Sequence, residues 1–287
     1  MGFKNISTFS SSAEQGAEWF SFFHKNGSPA TLGAGWFSDL SMAAGTPKYN
    51  AYVGTQGEGT PMVGQGNSGI YLPPVPSGSS RHIAEINIGT PSSVFTPTTF
   101  FLCDYLHFYP LIDMDSTDVQ FMDNTAASLL RYESGNGVRA MLVTTTPQGG
   151  TARCDISYTN ELGVSGRIST IYTATSNTGN IQSAQNSLAG FSAMNPFIPM
   201  ANGDKGIRTV DSVVMQSSAG GFTAVVLVRP IAEISLRESN TVAEINYLIS
   251  KKSLPKVLDG ACLNFIYQCG IAAASSVVRG YVKCQWN

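Results

Sequence analysis

The chain has 287 residues, of which 43% are apolar, only 13% are charged and 29 are glycine, and its formal net charge is −2. Scattered Lys and Arg residues do not provide the concentrated basic surface that nucleic-acid binding needs. No apolar run reaches the roughly 18 residues of a membrane-spanning helix, and five cysteines without a CxxC pair do not fit a disulfide framework or a zinc site. We therefore expect neither nucleic acid nor a membrane as a partner.

Residues 1–80 differ in composition from the rest of the chain and predict an N-terminal arm. A short helix is predicted at about 12–24, with Ser12 as its N-cap and Glu14 in its first turn. From Gly27 to about Ser80 the sequence is rich in Gly, Pro and aromatic residues and shows no sustained period. So many aromatic residues argue against disorder. This segment is either an extended arm ordered on a neighbouring chain or a set of Gly-rich turns folded onto its own domain.

From Arg81 onward, apolar and polar residues alternate with the period of two that is typical of half-buried strands. Ala152–Thr159 and Val278–Trp286 show the alternation most clearly. Phe222–Val228 is apolar throughout, which predicts a strand covered on both faces, and Pro230 then marks its end or a bulge. The other predicted strands are 82–88, 99–108, 138–145, 166–174, 207–215, 231–237 and 263–273.

These elements together predict an all-β fold. A second short helix is predicted at about 240–249, capped by Asn240 or Thr241, but strands and helices do not alternate as a parallel Rossmann-like sheet requires. The economical architecture for residues 81–287 is a jelly-roll-like, antiparallel β-sandwich. The extended N-terminal arm with its short helix, residues 1–80, precedes this sandwich.

Two motifs suggest a ligand, and neither fits its known context. The segment Gly64–Gly69 matches GxGxxG, but the prolines that follow it exclude the helix that a dinucleotide fingerprint must open, so we expect no cofactor. Asp113, Asp115 and Asp118 form the densest acidic group and are a weak candidate for a nonstandard calcium site. An EF-hand starting at Asp113 would need Gly at its sixth position and Glu at its twelfth, which are absent, so a solvated loop is the favoured interpretation.

Catalytic motifs are also missing from the sequence. It contains no HExxH or GxSxG motif and no Cys/His pair in a triad-like context. A glycoside hydrolase needs two carboxylates at working distance. Asp104, Asp155, Glu85, Glu161 and Glu233 could supply such a pair, although each lies on or beside a strand where a solvent-facing position explains it. We therefore expect that the protein is not an enzyme.

Three stretches are similar to virion structural proteins of tailed bacteriophages: Leu102–Asp115, Asn202–Val213 and Ser253–Ile266. The resemblance implies a virion component that is made in the host cytoplasm and assembled in many copies. A major capsid protein of that group would mix a long helix with its sheets. A capsid decoration or cement protein, β-rich and often trimeric, is the closer match, with itself and the major capsid protein as implied partners. The resemblance assigns no residue roles.

The leading functional hypothesis is that the arm of such a cement protein docks on the capsid shell or on a neighbouring subunit. Burial of aromatic side chains would drive this contact. The candidate interface residues are Trp19, Phe22, Phe23, Trp36 and Phe37. If the arm has this role, deletion of residues 1–60 should leave a folded β domain that no longer joins particles.

The alternative hypothesis is a tail, baseplate or fibre component that binds host glycans. Tyr105, Tyr109 and Tyr172 could stack on sugar rings if they were exposed, whereas packing within the sheet is the other interpretation of strand tyrosines. Glycan binding by the isolated protein would favour this alternative, and binding to empty capsids would favour the cement protein.

Overall fold

The computed structural model describes residue 3 and residues 5–27, 34–64, 69–91, 96–125, 129–182, 195–251, 253–270 and 276–287. The helical elements are short: α1 (Ile6–Glu14), a 3-10 turn (Leu40–Met42) and α2 (Tyr247–Ser250). The strands are β1 (Glu18–Asn26), β2 (Phe37–Asp39), β3 (Gly45–Thr46), β4 (Thr60–Pro61), β5 (Arg81–Gly89), β6 (Thr98–Asp113), β7 (Gln120–Phe121), β8 (Arg139–Thr146), β9 (Arg153–Asn160), β10 (Arg167–Tyr172), β11 (Ile207–Met215), β12 (Phe222–Leu236), β13 (Val242–Asn246), β14 (Lys256–Val257), β15 (Leu263–Cys269) and β16 (Val277–Trp286). None of the described helices is long and apolar enough to cross a membrane.

The strands form three sheets, and every pairing between them is antiparallel. Sheet 1 has the order β13-β5-β16-β1-β3, with β14 also paired to β5. Sheet 2 has the order β2-β15-β6-β12-β8, with β4 on β6, and sheet 3 has the order β10-β9-β11-β7. The predicted all-β, antiparallel sandwich is confirmed.

Sheet 2 lies between sheets 1 and 3, because its long strands β6 and β12 pack against both of them. Phe100 and Leu102 of β6 pack against sheet 1 in one hydrophobic cluster, and Leu106, Tyr109 and Ile112 pack against sheet 3 in a second. Alternate side chains of the same strands point the other way and form a third cluster with residues of the 37–62 segment. Sheet 2 is therefore covered on both faces, which explains the continuous apolar run in β12.

The strand predictions hold closely. Each predicted range overlaps an observed strand, and residues 271–273 of the predicted 263–273 lie outside the described residues. Phe222–Val228 and most of 231–237 belong to one strand, β12, whose register on β6 shifts between Pro230 and Ala232. Of the two alternatives for Pro230, the end of the strand or a bulge, the structure shows the bulge, and its physical reason is that proline cannot donate to the ladder.

The predicted helix at 12–24 is wrong in position. Helix α1 begins after Asn5, whose side chain accepts a hydrogen bond from the Thr8 amide at 2.9 Å, and ends before Gly16, which has φ +74°. Residues 18–26 form β1, which pairs with β16 along its whole length. The aromatic residues fit either period over such a short window, and the partner strand decides between them.

The predicted helix at 240–249 is also wrong over most of its length. Val242–Asn246 is strand β13, which pairs with β5 and forms the edge of sheet 1. Asn246, rather than Asn240 or Thr241, caps a single helical turn, α2, by accepting a hydrogen bond from Leu248 N. An apolar face at helical spacing was present, but the open edge of sheet 1 stabilises the extended form of this segment.

The N-terminal 80 residues contribute to the same sheets as the rest of the chain. Strand β1 lies inside sheet 1, β2 pairs with β15, and β4 pairs with β6. Of the two alternatives for 27–80, the described residues follow the second, a segment folded onto its own chain. The boundary predicted at residue 80 does not separate two hydrogen-bonded units.

Candidate functional site

The outer face of sheet 1 carries an exposed group of aromatic side chains. In β1, Ser21, Phe23 and Lys25 are buried, whereas the alternate residues Phe20 and Phe22 are 38% and 70% exposed. This alternation is what a strand with one covered face requires. The two phenylalanines therefore lie on the solvent side of the sheet.

Tyr281 of the neighbouring strand completes the group. Phe22 lies opposite Tyr281 in the β1–β16 pairing. The rings of Phe20 and Phe22 contact the ring of Tyr281 edge-on, with centroids 5.3 Å and 5.9 Å away. Such edge-to-face pairs hold aromatic rings in a defined geometry without burying them. We call the three side chains Phe20, Phe22 and Tyr281 the aromatic face.

Charged residues surround the aromatic face and fix two of its members. Lys283 Nζ lies 4.9 Å from the ring centroid of Phe20 and forms an ion pair with Glu18 at 2.8 Å. The Tyr281 hydroxyl donates a hydrogen bond to Glu85, and this bond raises the pKa of Tyr281 to about 12. The tyrosine is therefore neutral at physiological pH, and the surface presents an apolar centre with a polar rim.

A groove of about 500 Å³ adjoins the aromatic face. Its lining includes Phe22, Tyr281, Val242, Asn87 and Arg279. Val242 is 59% exposed, so apolar surface continues from β1 across the sheet to β13. Apolar centres with polar rims are typical of protein interfaces, and rings beside amide and guanidinium groups also suit sugar binding.

The structure separates the five predicted interface residues. Trp19 is 42% exposed and contacts Tyr71 edge-on, and Phe22 belongs to the aromatic face. Phe23 and Phe37 instead lie in the core, because each points from its strand towards the interior of the sandwich. Trp36 is partly buried against the same core. Packing against the core of the same chain accounts for the apolar character of Phe23, Phe37 and Trp36.

Two of the three tyrosines suggested for sugar stacking are not available for it. Tyr105 and Tyr109 are fully buried in β6, and Tyr172 is half-buried in β10. The hydroxyl of Tyr109 donates to Asn124 Oδ1 at 2.7 Å, so it has a structural role. Packing within the sheets is the interpretation that the structure supports for the two residues of β6.

The acidic loop after β6 forms local turns. The Asp115 amide donates to Asp113 Oδ1 at 2.9 Å, and the Asp115 carboxylate accepts a hydrogen bond from Ser218. Asp118 is exposed. Across the described residues, no three His, Cys, Asp or Glu side chains are grouped as metal ligands would be. Residues 65–68 of the GxGxxG segment lie outside the described residues.

Two buried carboxylates serve the packing of sheet 2. Burial raises the pKa of Asp39, although hydrogen bonds from the hydroxyls of Tyr52 and Tyr105 oppose this rise. Burial also raises the pKa of Asp104, against the effect of Arg131, whose Nη2 lies 2.8 Å from the carboxylate. Both carboxylates are saturated by side chains of the same chain, so they join elements rather than face a substrate.

Sequence reasoning missed Phe20 and Tyr281. Phe20 falls inside the predicted helix at 12–24, which the structure replaces with strand β1. Tyr281 left a usable signal, because it shares the polar phase of β16 with Arg279 and Lys283. An aromatic residue in the polar phase of a strand indicates an exposed ring.

No protein-family model matches this chain, and no curated protein matches it. Among solved structures, the chain is similar to one described as the crystal structure of infectious bursal disease virus VP2 subviral particle. The match has 9% sequence identity and a TM-score of 0.18 and covers 93% of this chain and 80% of that chain. This similarity to a viral capsid protein is too low to carry an argument, so the proposals below depend on the geometry of the site.

Proposed function

We propose that this chain is a virion structural protein that decorates and stabilises a phage head, and that the aromatic face is the surface that binds the shell. The observation that carries the proposal is the exposed centre formed by Phe20, Phe22 and Tyr281 on a regular sheet face. The resemblance of three segments to virion proteins of tailed phages agrees with it. The partners are then the major capsid protein and further copies of this chain, in a homotrimer.

Phe22 provides most of the contact area in this proposal. An aromatic side chain buries about 150–250 Å², and covering the 70% of Phe22 that is exposed would remove roughly 130 Å² of apolar area from water. At about 25 cal/mol per Å² this contributes about 3 kcal/mol before the costs of association. Loss of this ring should therefore weaken binding by at least tenfold.

The test uses purified shells that lack this chain and three forms of the protein. Wild type and Phe121→Ser should bind, whereas Phe22→Ser should bind at least tenfold more weakly. Phe121 is a matched control because it is 78% exposed but lies on β7 in sheet 3. Equal binding by Phe22→Ser and wild type would contradict the role of the aromatic face. Light scattering tests the trimer separately, and a monomer would remove that part of the proposal.

A second candidate function is a tail, baseplate or fibre component that binds host glycans through the same surface. The groove that joins Phe22 and Tyr281 to Asn87 and Arg279 favours it, because it places rings beside hydrogen-bonding groups. Binding of wild type to a glycan array, lost in Phe22→Ser and kept in Phe121→Ser, would support this function. Binding to empty shells with a blank array would support the head protein. In neither case does the chain have a catalytic role, a cofactor, or a nucleic acid or membrane as partner.

A further inference from the structure

Two arginines line a separate cavity at the edge of sheet 2. The cavity has a volume of about 680 Å³ and lies where β8 begins and β12 bulges. Arg139 is the first residue of β8 and lies opposite Val228, so Arg229 is the next residue along the paired strand. Both arginines are half-buried. The aromatic face lies on a different sheet, and this cavity is independent of it.

The local structure holds Arg229 in place. Its Cζ lies 5.3 Å from the ring centroid of Tyr132, and Nη1 donates a hydrogen bond to the carbonyl oxygen of Asn136. Gly137, with φ +70°, leaves room for the guanidinium, because a Cβ at this position would lie 1.5 Å from Nη1. The guanidinium is therefore positioned before any ligand arrives, which reduces the entropic cost of binding.

Arg139 has a poorer set of partners. Its Nη1 donates to Met200 Sδ at 3.2 Å, and a thioether is a weak acceptor. Burial and, to a smaller extent, the charge of Arg229 lower the pKa of Arg139. Two neighbouring cations in a partly desolvated place are unfavourable without an anion, and guanidinium groups bind carboxylates in a bidentate geometry.

The chain itself supplies no anion to this pair. The described residues include every Asp and Glu of the sequence, and among them neither Arg139 nor Arg229 has a carboxylate within ion-pair distance. Glu233 lines the same cavity but is exposed at its rim. The nearest buried carboxylate along the strands, Asp104, is bound by Arg131.

Apart from the two arginines, Asn195, Glu233 and Gly137, the residues that line the cavity are apolar. They include Phe101, Phe197, Ile198, Pro199, Met200 and Ile231. A cavity of this size with apolar walls and a few convergent polar groups is the usual form of a small-molecule site. A bare inorganic anion would leave the apolar walls unfilled, whereas a carboxylate with an apolar body would use both features.

We propose that Arg139 and Arg229 form a binding site for a carboxylate that carries an apolar body. The two guanidinium groups bind the carboxylate, and the segment 195–200 and the β12 bulge enclose the rest of the ligand.

The test measures binding of benzoate, acetate and inorganic phosphate to the full chain by calorimetry or ligand-observed NMR at constant ionic strength. At that ionic strength benzoate should bind most tightly, with acetate and phosphate at least tenfold weaker. In a separate titration, raising the ionic strength with chloride should weaken benzoate binding. Tighter binding of phosphate than of benzoate would overturn the assignment to a carboxylate. Benzoate binding no stronger than that of acetate would remove the apolar part of the site.

Variants locate the site. Arg139→Gln and Arg229→Gln should each weaken benzoate binding at least tenfold. Arg139→Lys should also weaken it, because lysine loses the bidentate geometry, but by a smaller factor, because lysine keeps the charge. Arg153→Gln is the matched control, since Arg153 is exposed and paired with Asp155 in sheet 3. Benzoate binding that is unchanged in both Gln variants would refute the site. Phe22→Ser should lose shell binding and keep benzoate binding. A failure of one proposal can therefore be distinguished from a failure of the other.

Discussion

His107 lies in the middle of β6 and makes the stability of the fold depend on pH. The side chain is 1% exposed, and neither ring nitrogen has a hydrogen-bond partner among the described residues. Burial lowers the pKa of His107 from 6.5 to about 4, because the imidazolium loses its water and gains no acceptor. The imidazole is therefore neutral in the folded protein at pH 7.

The sign and size of the effect follow from these two pKa values. Between pH 6.5 and about 4 the unfolded chain binds a proton at this residue that the folded chain does not. The contribution of the neutral His107 side chain to the free energy of unfolding is fully present above pH 6.5 and is lost as the pH falls towards 4. At about 1.4 kcal/mol per pH unit, the loss approaches about 3 kcal/mol.

The assay compares wild type with His107→Leu and His107→Phe by urea unfolding from pH 7.5 to pH 4.5. Neither variant titrates, so the difference in unfolding free energy should shift in favour of the variants as the pH falls, by about 2 to 3 kcal/mol. Taking the difference cancels the other titrating groups. Leu and Phe differ from each other in volume and shape, so a pH dependence that both variants share reports the titration of His107 and not a change in packing. A difference that stays constant between pH 7 and pH 4.5 for both variants would refute the reasoning.

Two further predictions concern stability. Arg131→Met should lower the unfolding free energy by about 3–5 kcal/mol in urea titrations, because it leaves the carboxylate of Asp104 buried without its cation; a loss below about 1 kcal/mol would show that the pair is not needed. Deletion of residues 1–60 should abolish the folded state, contrary to the expectation from sequence, because it removes β1, which lies between β16 and β3 in sheet 1, and takes Phe23 from the core. Circular dichroism checks this against deletion of residues 1–14, which removes only α1, and a cooperative transition in the longer deletion would contradict it.

Local sequence pattern identifies some of the exposed residues of the candidate site correctly and fails for others. Their aromatic character indicates Trp19 and Phe22 as interface residues, and both have exposed surface. The same character indicates Phe23 and Phe37, which are buried. Composition cannot distinguish these cases. The phase of a strand can do so, but β1 had first to be recognised as a strand.

The Arg139–Arg229 site could not be found from sequence. The two residues are 90 positions apart, and the β8–β12 pairing brings them to the same end of the two strands, where both line one cavity. The absence of a carboxylate near them is also a property of the tertiary structure, since 19 acidic residues are present in the chain.

The sequence by itself determined the all-β class and the positions of the long strands, because side-chain alternation is local. Proline chemistry limited Pro230 to a strand end or a bulge, and the pairing of β12 with β6 decided for the bulge. Tertiary structure decided the state of 18–26 and 242–246, where several periods fit and a partner strand selects the extended form. It also decided that the N-terminal segment lies on its own chain and which aromatic rings remain exposed. These outcomes depend on which strands meet, and that depends on contacts between residues far apart in the sequence.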